Sequence, residues 1–178
     1  YANRAAAAAA AKMRVSRDMT DRDLKQPVPE GLTADDETRW KYQRYIKDYL
    51  RCVASIDDNV GRILDYLDDE GLADDTIVVY TSDQGFFLGD HGWYDKRFMY
   101  EESLRMPFLM RYPREIDAGQ VCDGMILNVD FAQTFLDCLG IDADERMQGS
   151  SFRPLMGGDA PDGWRTSMYY RYWMHLAH

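Results

Sequence analysis

Thr76-Ile77-Val78-Val79-Tyr80-Thr81 runs directly into Ser82-Asp83-Gln84-Gly85-Phe86-Phe87-Leu88-Gly89-Asp90-His91-Gly92. The first six residues are β-branched or aromatic on both alternations, the pattern of a central parallel strand buried on both faces. The stretch after Thr81 is largely polar and glycine-rich, the composition of a loop. Open α/β sheets bind ligands outside the carboxyl ends of their strands, and this loop starts at such an end. Asp83 brings a carboxylate and Gln84 an amide oxygen, hard donors of the kind that Ca²⁺ or Mg²⁺ takes. Read alone, an Asp-Gln-Gly after a strand is also an ordinary turn.

Working upstream, Thr33 is placed as an N-cap, with Asp35, Asp36 and Glu37 suited to the positive end of a helix. The helix is predicted over Glu37 to Glu70. Its apolar positions (Ile46, Tyr49, Leu50, Val53, Ile56, Val60, Ile63, Leu64 and Leu67) recur in steps of three and four, so one face is expected to be buried. Gly71 ends it. Before it lie a proline-containing loop, Gln26-Pro27-Val28-Pro29-Glu30-Gly31, and the low-complexity tract Ala5–Ala11, which reads as helix and carries no functional reading. Downstream, Pro107 to Tyr112 reads as a second buried strand and Val129 to Leu139 as a shorter helix stopped by Gly140. Gly157, Gly158, Pro161 and Gly163 make a linker, and Met168 to Trp173 reads as an aromatic strand. The expected fold is α/β, part of a mixed, mostly parallel sheet flanked by helices. The segments are 1–32 (low complexity and loop), 33–155 (the α/β portion) and 156–178 (the start of a further unit).

The chain has 178 residues, 46% of them hydrophobic and 29% charged, which supplies a sizeable core. With 21 Lys+Arg against 31 Asp+Glu the formal charge is -10, the wrong sign for a general nucleic-acid or anionic-membrane binder. No apolar run approaches the length of a membrane span. Cys52, Cys122 and Cys138 lack paired spacing, which argues against a zinc site or a disulfide framework and for reduced, packed thiols.

Thr81-Ser82-Asp83-Gln84-Gly85, then Leu88-Gly89-Asp90-His91-Gly92, then Lys96 and Arg105-Met106-Pro107-Phe108, form an ordered series that resembles the C-terminal half of a type I sulfatase. These are formylglycine-dependent enzymes of the alkaline phosphatase superfamily. Tyr49 to Gly61 resembles the helix that precedes the motif, and Asn128-Val129-Asp130 with Thr134 and Gly140 the helix that comes after it. The resemblance runs from about residue 40 to the end. It implies that Asp83 and Gln84 are two metal ligands, for Ca²⁺ with Mg²⁺ as the alternative. It also implies that Lys96 binds the sulfate group and steadies the leaving oxygen, and that His91 lies in the substrate-facing loop, where a loop-stapling hydrogen bond is the competing role. Glu102 and Arg105, three apart, read as a structural ion pair.

The family's nucleophile is a formylglycine made from Cys or Ser in a Cys-x-Pro/Ala-x-Arg context. Cys52-Val53-Ala54-Ser55-Ile56 has Ile56 where the Arg belongs and lies inside the long helix, so Cys52 is rejected and no nucleophile is assigned in this chain. The early acidic pair that completes the metal site has no match either. The segment therefore reads as the C-terminal portion of a longer enzyme, inactive alone. In the complete enzyme the resemblance implies that a formylglycine hydrate attacks sulfur while the metal and Lys96 offset charge on the sulfuryl oxygens. The tail Tyr169-Tyr170-Arg171-Tyr172-Trp173-Met174-His175 reads as an edge strand opening the family's small C-terminal antiparallel subdomain. Arg171 and His175 there are candidate contacts to a sugar's hydroxyl or sulfate oxygens. The expected ligand is a sulfated small molecule or glycan, and resemblance implies a periplasmic or extracellular location. The alternatives are a phosphonate or phosphate ester hydrolase of the same superfamily, and a non-catalytic fragment.

Overall fold

The computed structural model describes residues 6–171, which divide into two compact units. One contains residues 6–66, 84–107 and 171, and the other residues 67–83 and 108–170.

In the first unit the alanine tract forms α1 (Ala6–Ala10) and is followed by a short α2 (Asp21–Leu24). The long helix α3 (Ala34–Asp69) begins here and ends in the second unit. Thr33 caps it as expected: its Oγ1 accepts the Asp36 N–H at 3.2 Å. The small side chains of the tract permit close packing. Ala8 and Ala11 are buried with Met13, Phe87 and Trp93, and Phe98 and Tyr100 lie against them. A second cluster joins Val15, Met19 and Leu24 to Trp40, Tyr42, Tyr45 and Tyr94. The strands β2 (Phe87–Leu88) and β3 (Tyr94–Asp95) pair antiparallel, Phe87 with Asp95 and Leu88 with Tyr94. The N-terminal segment adds to this hairpin, with Val15 N–H donating to Gly92 O at 3.0 Å and Tyr94 N–H to Met13 O at 2.8 Å. The helical turn α4 (Glu101–Leu104) completes the unit.

The apolar stripe of α3 exists, but Tyr49, Leu50, Val53, Ile56, Ile63 and Tyr66 are exposed rather than buried. Periodicity marks the face that can be covered, not the segment that covers it. Cys52 is exposed on the same helix, while Cys122 and Cys138 are half-buried; all three are free thiols, and the expectation of packing fails at Cys52.

In the second unit Gly71, at φ 66°, closes α3, and Leu72 N–H reaches back to Leu67 O at 2.8 Å. The strands β1 (Val78–Thr81) and β4 (Phe108–Arg111) fall where the sequence puts them. They pair antiparallel, from Val78 opposite Arg111 to Thr81 opposite Phe108. The expectation of a mostly parallel sheet is therefore wrong: both sheets of the described residues are two-stranded and antiparallel. An apolar β-branched run fixes the existence of a strand and says nothing of its neighbour's direction. Nor is β1 covered on both faces, since Tyr80 and its partner Leu109 are both exposed. A 3₁₀ turn, Asn128–Asp130, leads into α5 (Phe131–Cys138). The core of this unit is Phe152, Leu155 and Met156 against Phe108, Met110, Phe131 and Trp164. Asp130 is fully buried and organises the segments around it. Its carboxylate accepts Leu127 N–H at 2.7 Å and Ser150 N–H at 2.9 Å and pairs in a fork with Arg165. Of the aromatic tail, residues 168–171 form no strand; the remainder, with His175, lies outside the described residues.

Candidate functional site

Asp83 and Gln84 sit on a bend immediately after β1, Asp83 exposed and Gln84 half-buried. In the second unit, Asp83 is steadied by its neighbours. Ser82 Oγ donates to Asp83 Oδ1 at 3.3 Å, and Asn128 Nδ2 donates to the Asp83 carbonyl at 2.8 Å. That amide contact gives a physical role to an Asn which the sequence offered only as part of a family resemblance.

In the first unit, Gln84 leads into Gly85, whose N–H donates to Ser103 O at 3.0 Å. The approach of Gly85 to α4 is too close for any side chain: a Cβ there would lie 2.2 Å from Glu102 O and 2.9 Å from Arg105 O. Phe86 stacks on Tyr49 with ring centroids 6.5 Å apart, and Tyr45 Oη donates to Phe87 O at 3.2 Å. Burial pushes the Tyr45 phenol well above its ordinary range, so it remains a donor.

The loop from Gly89 to Arg97 is tightly wound. Gly89 N–H donates to Trp93 O at 2.9 Å, Gly92 N–H to Gly89 O at 2.9 Å, and Trp93 N–H to Asp90 O at 3.0 Å. His91 adopts the left-handed conformation at φ 58°. Its Nε2 lies 3.1 Å from Glu102 Oε1, and its ring packs at 5.0 Å on Tyr100 and 5.7 Å on Trp93. Glu102 thus braces His91 rather than pairing with Arg105 as the sequence spacing suggested. Arg105 sits beyond the helical turn in extended backbone and approaches Glu101 instead, at 3.6 Å.

Lys96 is half-buried, and among the described residues none pairs with its ammonium. Its two neighbours both have left-handed backbone, Asp95 at φ 72° and Arg97 at φ 106°. Such conformations cost roughly 1–3 kcal/mol each for residues with a side chain and persist only where the surroundings enforce them. The enforcement is visible: Arg97 N–H donates to Ser103 Oγ at 3.0 Å, and the Arg97 guanidinium lies 3.5 Å from Asp95 Oδ2. Ser103, only 8% exposed, was missed by sequence reasoning. Its one signal was a small hydroxyl residue after two glutamates in a short turn.

In this unit Gln84, His91 and Lys96 therefore all hang from one short turn, α4, through Gly85, Glu102 and Arg97 respectively. Arg171 is exposed, in a segment without regular structure. Among the described residues no group of three or more His, Cys, Asp or Glu is placed to hold a metal ion. The donors of Asp83 and Gln84 match a hard divalent cation in chemistry but are two, where Ca²⁺ takes six to eight.

Comparison with known proteins gives a consistent picture. Residues 89–178 match the family model described as N-sulphoglucosamine sulphohydrolase, C-terminal. An N-acetylglucosamine-6-O-sulfatase of Bacteroides thetaiotaomicron is 52% identical over 140 residues, covering 78% of this chain and 25% of that protein. A solved structure of a protein in complex with its substrate D-glucosamine-2-N,6-O-disulfate superimposes with a TM-score of 0.86 at 37% identity, over 98% of this chain and 44% of that one. A phosphonate monoester hydrolase from Silicibacter pomeroyi gives a TM-score of 0.67 at 32% identity, over 76% of this chain and 26% of that one. The matched part spans between 10% and 28% of the length of the curated relatives. With half of its residues inside that family model and most of its length aligned to a sulfatase, the chain belongs to the sulfatase family of the alkaline phosphatase superfamily.

Proposed function

We propose that this chain forms part of a sulfuric ester hydrolase acting on carbohydrate sulfates, with glucosamine sulfates as the substrate class. The observation that carries the reading is Lys96, a half-buried cation with no internal partner among the described residues, held between two backbone positions of enforced left-handed conformation. A compact ammonium on a backbone held at both sides suits a sulfuryl group, whose charge is spread over several oxygens. As the ester S–O bond breaks, negative charge grows on the bridging oxygen, and a preorganised cation offsets it without reorganising. His91, braced by Glu102 and by the Tyr100 ring, is assigned to the leaving alcohol. Asp83 and Gln84 are assigned as two oxygen ligands of Ca²⁺, with Mg²⁺ the alternative; the other ligands and the formylglycine nucleophile are assigned to portions of the protein outside this chain. When bound, the metal supplies Lewis-acid stabilisation to the sulfuryl oxygens.

The substrate class is supported by the names of the relatives, which act on or bind sulfated glucosamine. Exposed aromatic and cationic residues near the end of the chain, Tyr169 and Arg171, support a sugar contact there, and His175 is assigned with them. The same family resemblance supports a periplasmic or extracellular location. A second reading, phosphonate monoester hydrolysis, is favoured by the likeness to that hydrolase. Initial rates of the full-length enzyme on glucosamine 6-sulfate and on a phenylphosphonate monoester separate the two. Faster sulfate hydrolysis is expected. The opposite order establishes the second reading, and no turnover of either ester by the metal-loaded, formylglycine-bearing enzyme overturns both.

A further inference from the structure

We propose that Ser103 is a positioning residue that sets Lys96 against the Gln84–Gly85 turn, by bonding the two loops from opposite ends of the same residue. Its main-chain carbonyl accepts Gly85 N–H at 3.0 Å, one residue from Gln84. Its side-chain Oγ accepts Arg97 N–H at 3.0 Å, one residue from Lys96. Both bonds end on one residue of a four-residue helical turn, and that residue is 8% exposed, so water competes poorly for either. The carbonyl bond depends on a glycine at position 85, because a Cβ there would collide with the main chain of Glu102, Ser103 and Arg105. The hydroxyl bond acts on the main chain of Arg97 itself, where φ is 106°, a conformation that costs energy for a residue with a side chain and persists only where its surroundings hold it. Ser103 N–H is itself tied back to Tyr100 O at 3.0 Å, and Tyr100 packs on His91 at 5.0 Å. The hydroxyl thus does not touch the reacting atoms but fixes where the Lys96 cation stands.

This rests on the reading of Lys96 as the cation that meets the substrate ester, and the experiment separates the two. In the full-length enzyme, Ser103→Ala removes the acceptor and keeps the carbonyl. Displacing a charged group by about 1 Å costs up to about 10²-fold in rate, so kcat is expected to fall about 10- to 100-fold with KM changed far less. Ser103→Thr, which restores a hydroxyl, is expected to recover most of the loss. Thr134→Ala is the control for stability alone. It also deletes a buried hydroxyl that accepts a main-chain N–H, that of Phe152 at 2.9 Å, but in the other unit. It should lower the melting temperature and leave kcat intact. The inference is overturned if Ser103→Ala keeps kcat within about twofold, or if Thr134→Ala, at a comparable loss of melting temperature, loses as much kcat as Ser103→Ala does. Should Thr be too large for the site, the kcat-against-KM split of the Ala variant decides alone. Should the enzyme prefer phosphonate esters, the same split is read on that substrate, so failure of the sulfate reading leaves this test standing.

Discussion

Gly85→Ala and Gly61→Ala make the same chemical change at two places where the structure demands opposite outcomes. At Gly85 the added methyl would meet three main-chain atoms at 2.2, 2.8 and 2.9 Å, none of which is the yielding tip of a side chain. Relief requires α4 and the Gln84–Gly85 turn to separate by about 1 Å, at a cost of about 1–3 kcal/mol for overpacking. That movement also breaks the 3.0 Å bond from Gly85 N–H to Ser103 O, a further net loss of about 0.5–1.5 kcal/mol. The expected destabilisation is about 1.5–4.5 kcal/mol. At Gly61, inside α3, nothing lies within 4 Å of the position, and an Ala there should stabilise the helix by about 0.5–1 kcal/mol. Urea unfolding of both variants in the 178-residue chain, read as the shift of midpoint multiplied by the slope, gives the comparison. A Gly85→Ala variant within about 0.5 kcal/mol of the parent would refute the account of how α4 holds the site.

Lys96→Ala in the full-length enzyme should lower turnover by about 10²–10³-fold, the loss typical of one preorganised donor; unchanged kinetics would make the lysine a surface residue. The Arg153 hydrogen bond holds the Glu115 carboxyl below its ordinary 4.5, and hydrogen bonds from Ser151 first and Arg153 second hold the Asp137 carboxyl below its ordinary 3.8. Carboxyls with lowered values contribute stability that is present above their ordinary range and lost as pH falls through the lowered one, so Arg153→Met should flatten the acid limb of a stability-against-pH curve. A variant whose curve parallels the parent's would show that the fork contributes nothing. The 178-residue chain should bind Ca²⁺ weakly or not at all by calorimetry, since Asp83 and Gln84 supply too few oxygens, and tight binding would contradict the partial site.

The elements were legible where a local signal existed. Thr33 and Gly71 marked the ends of α3 within a few residues because capping is a matter of single hydroxyls and single backbone angles. The strands at Val78–Thr81 and Phe108–Arg111 were legible from β-branched and apolar runs, but their antiparallel pairing was not, because direction depends on the path of the chain between them. The site loop was legible through a family resemblance, and its mechanics were not. Pairing Glu102 with Arg105 assumed a helix long enough to bring residues three apart onto one face, whereas α4 ends at Leu104. His91 could be matched to Glu102 only once its left-handed backbone was known. The burial of Ala8 and Ala11 was equally hidden, since alanine periodicity carries no sign of what it packs against.

The winding of the loop from Gly89 to Arg97 has a consequence for anyone who would exchange it between related enzymes to alter specificity. Two of its left-handed non-glycine residues are held by partners that lie outside it: Glu102 and Tyr100 for His91, and Ser103 for Arg97. A graft cut at the loop's own ends would therefore arrive without its mould. The heritable module is the longer stretch from Gln84 to Arg105, in which the loop, the glycine that lets the turn approach and the turn itself must travel together.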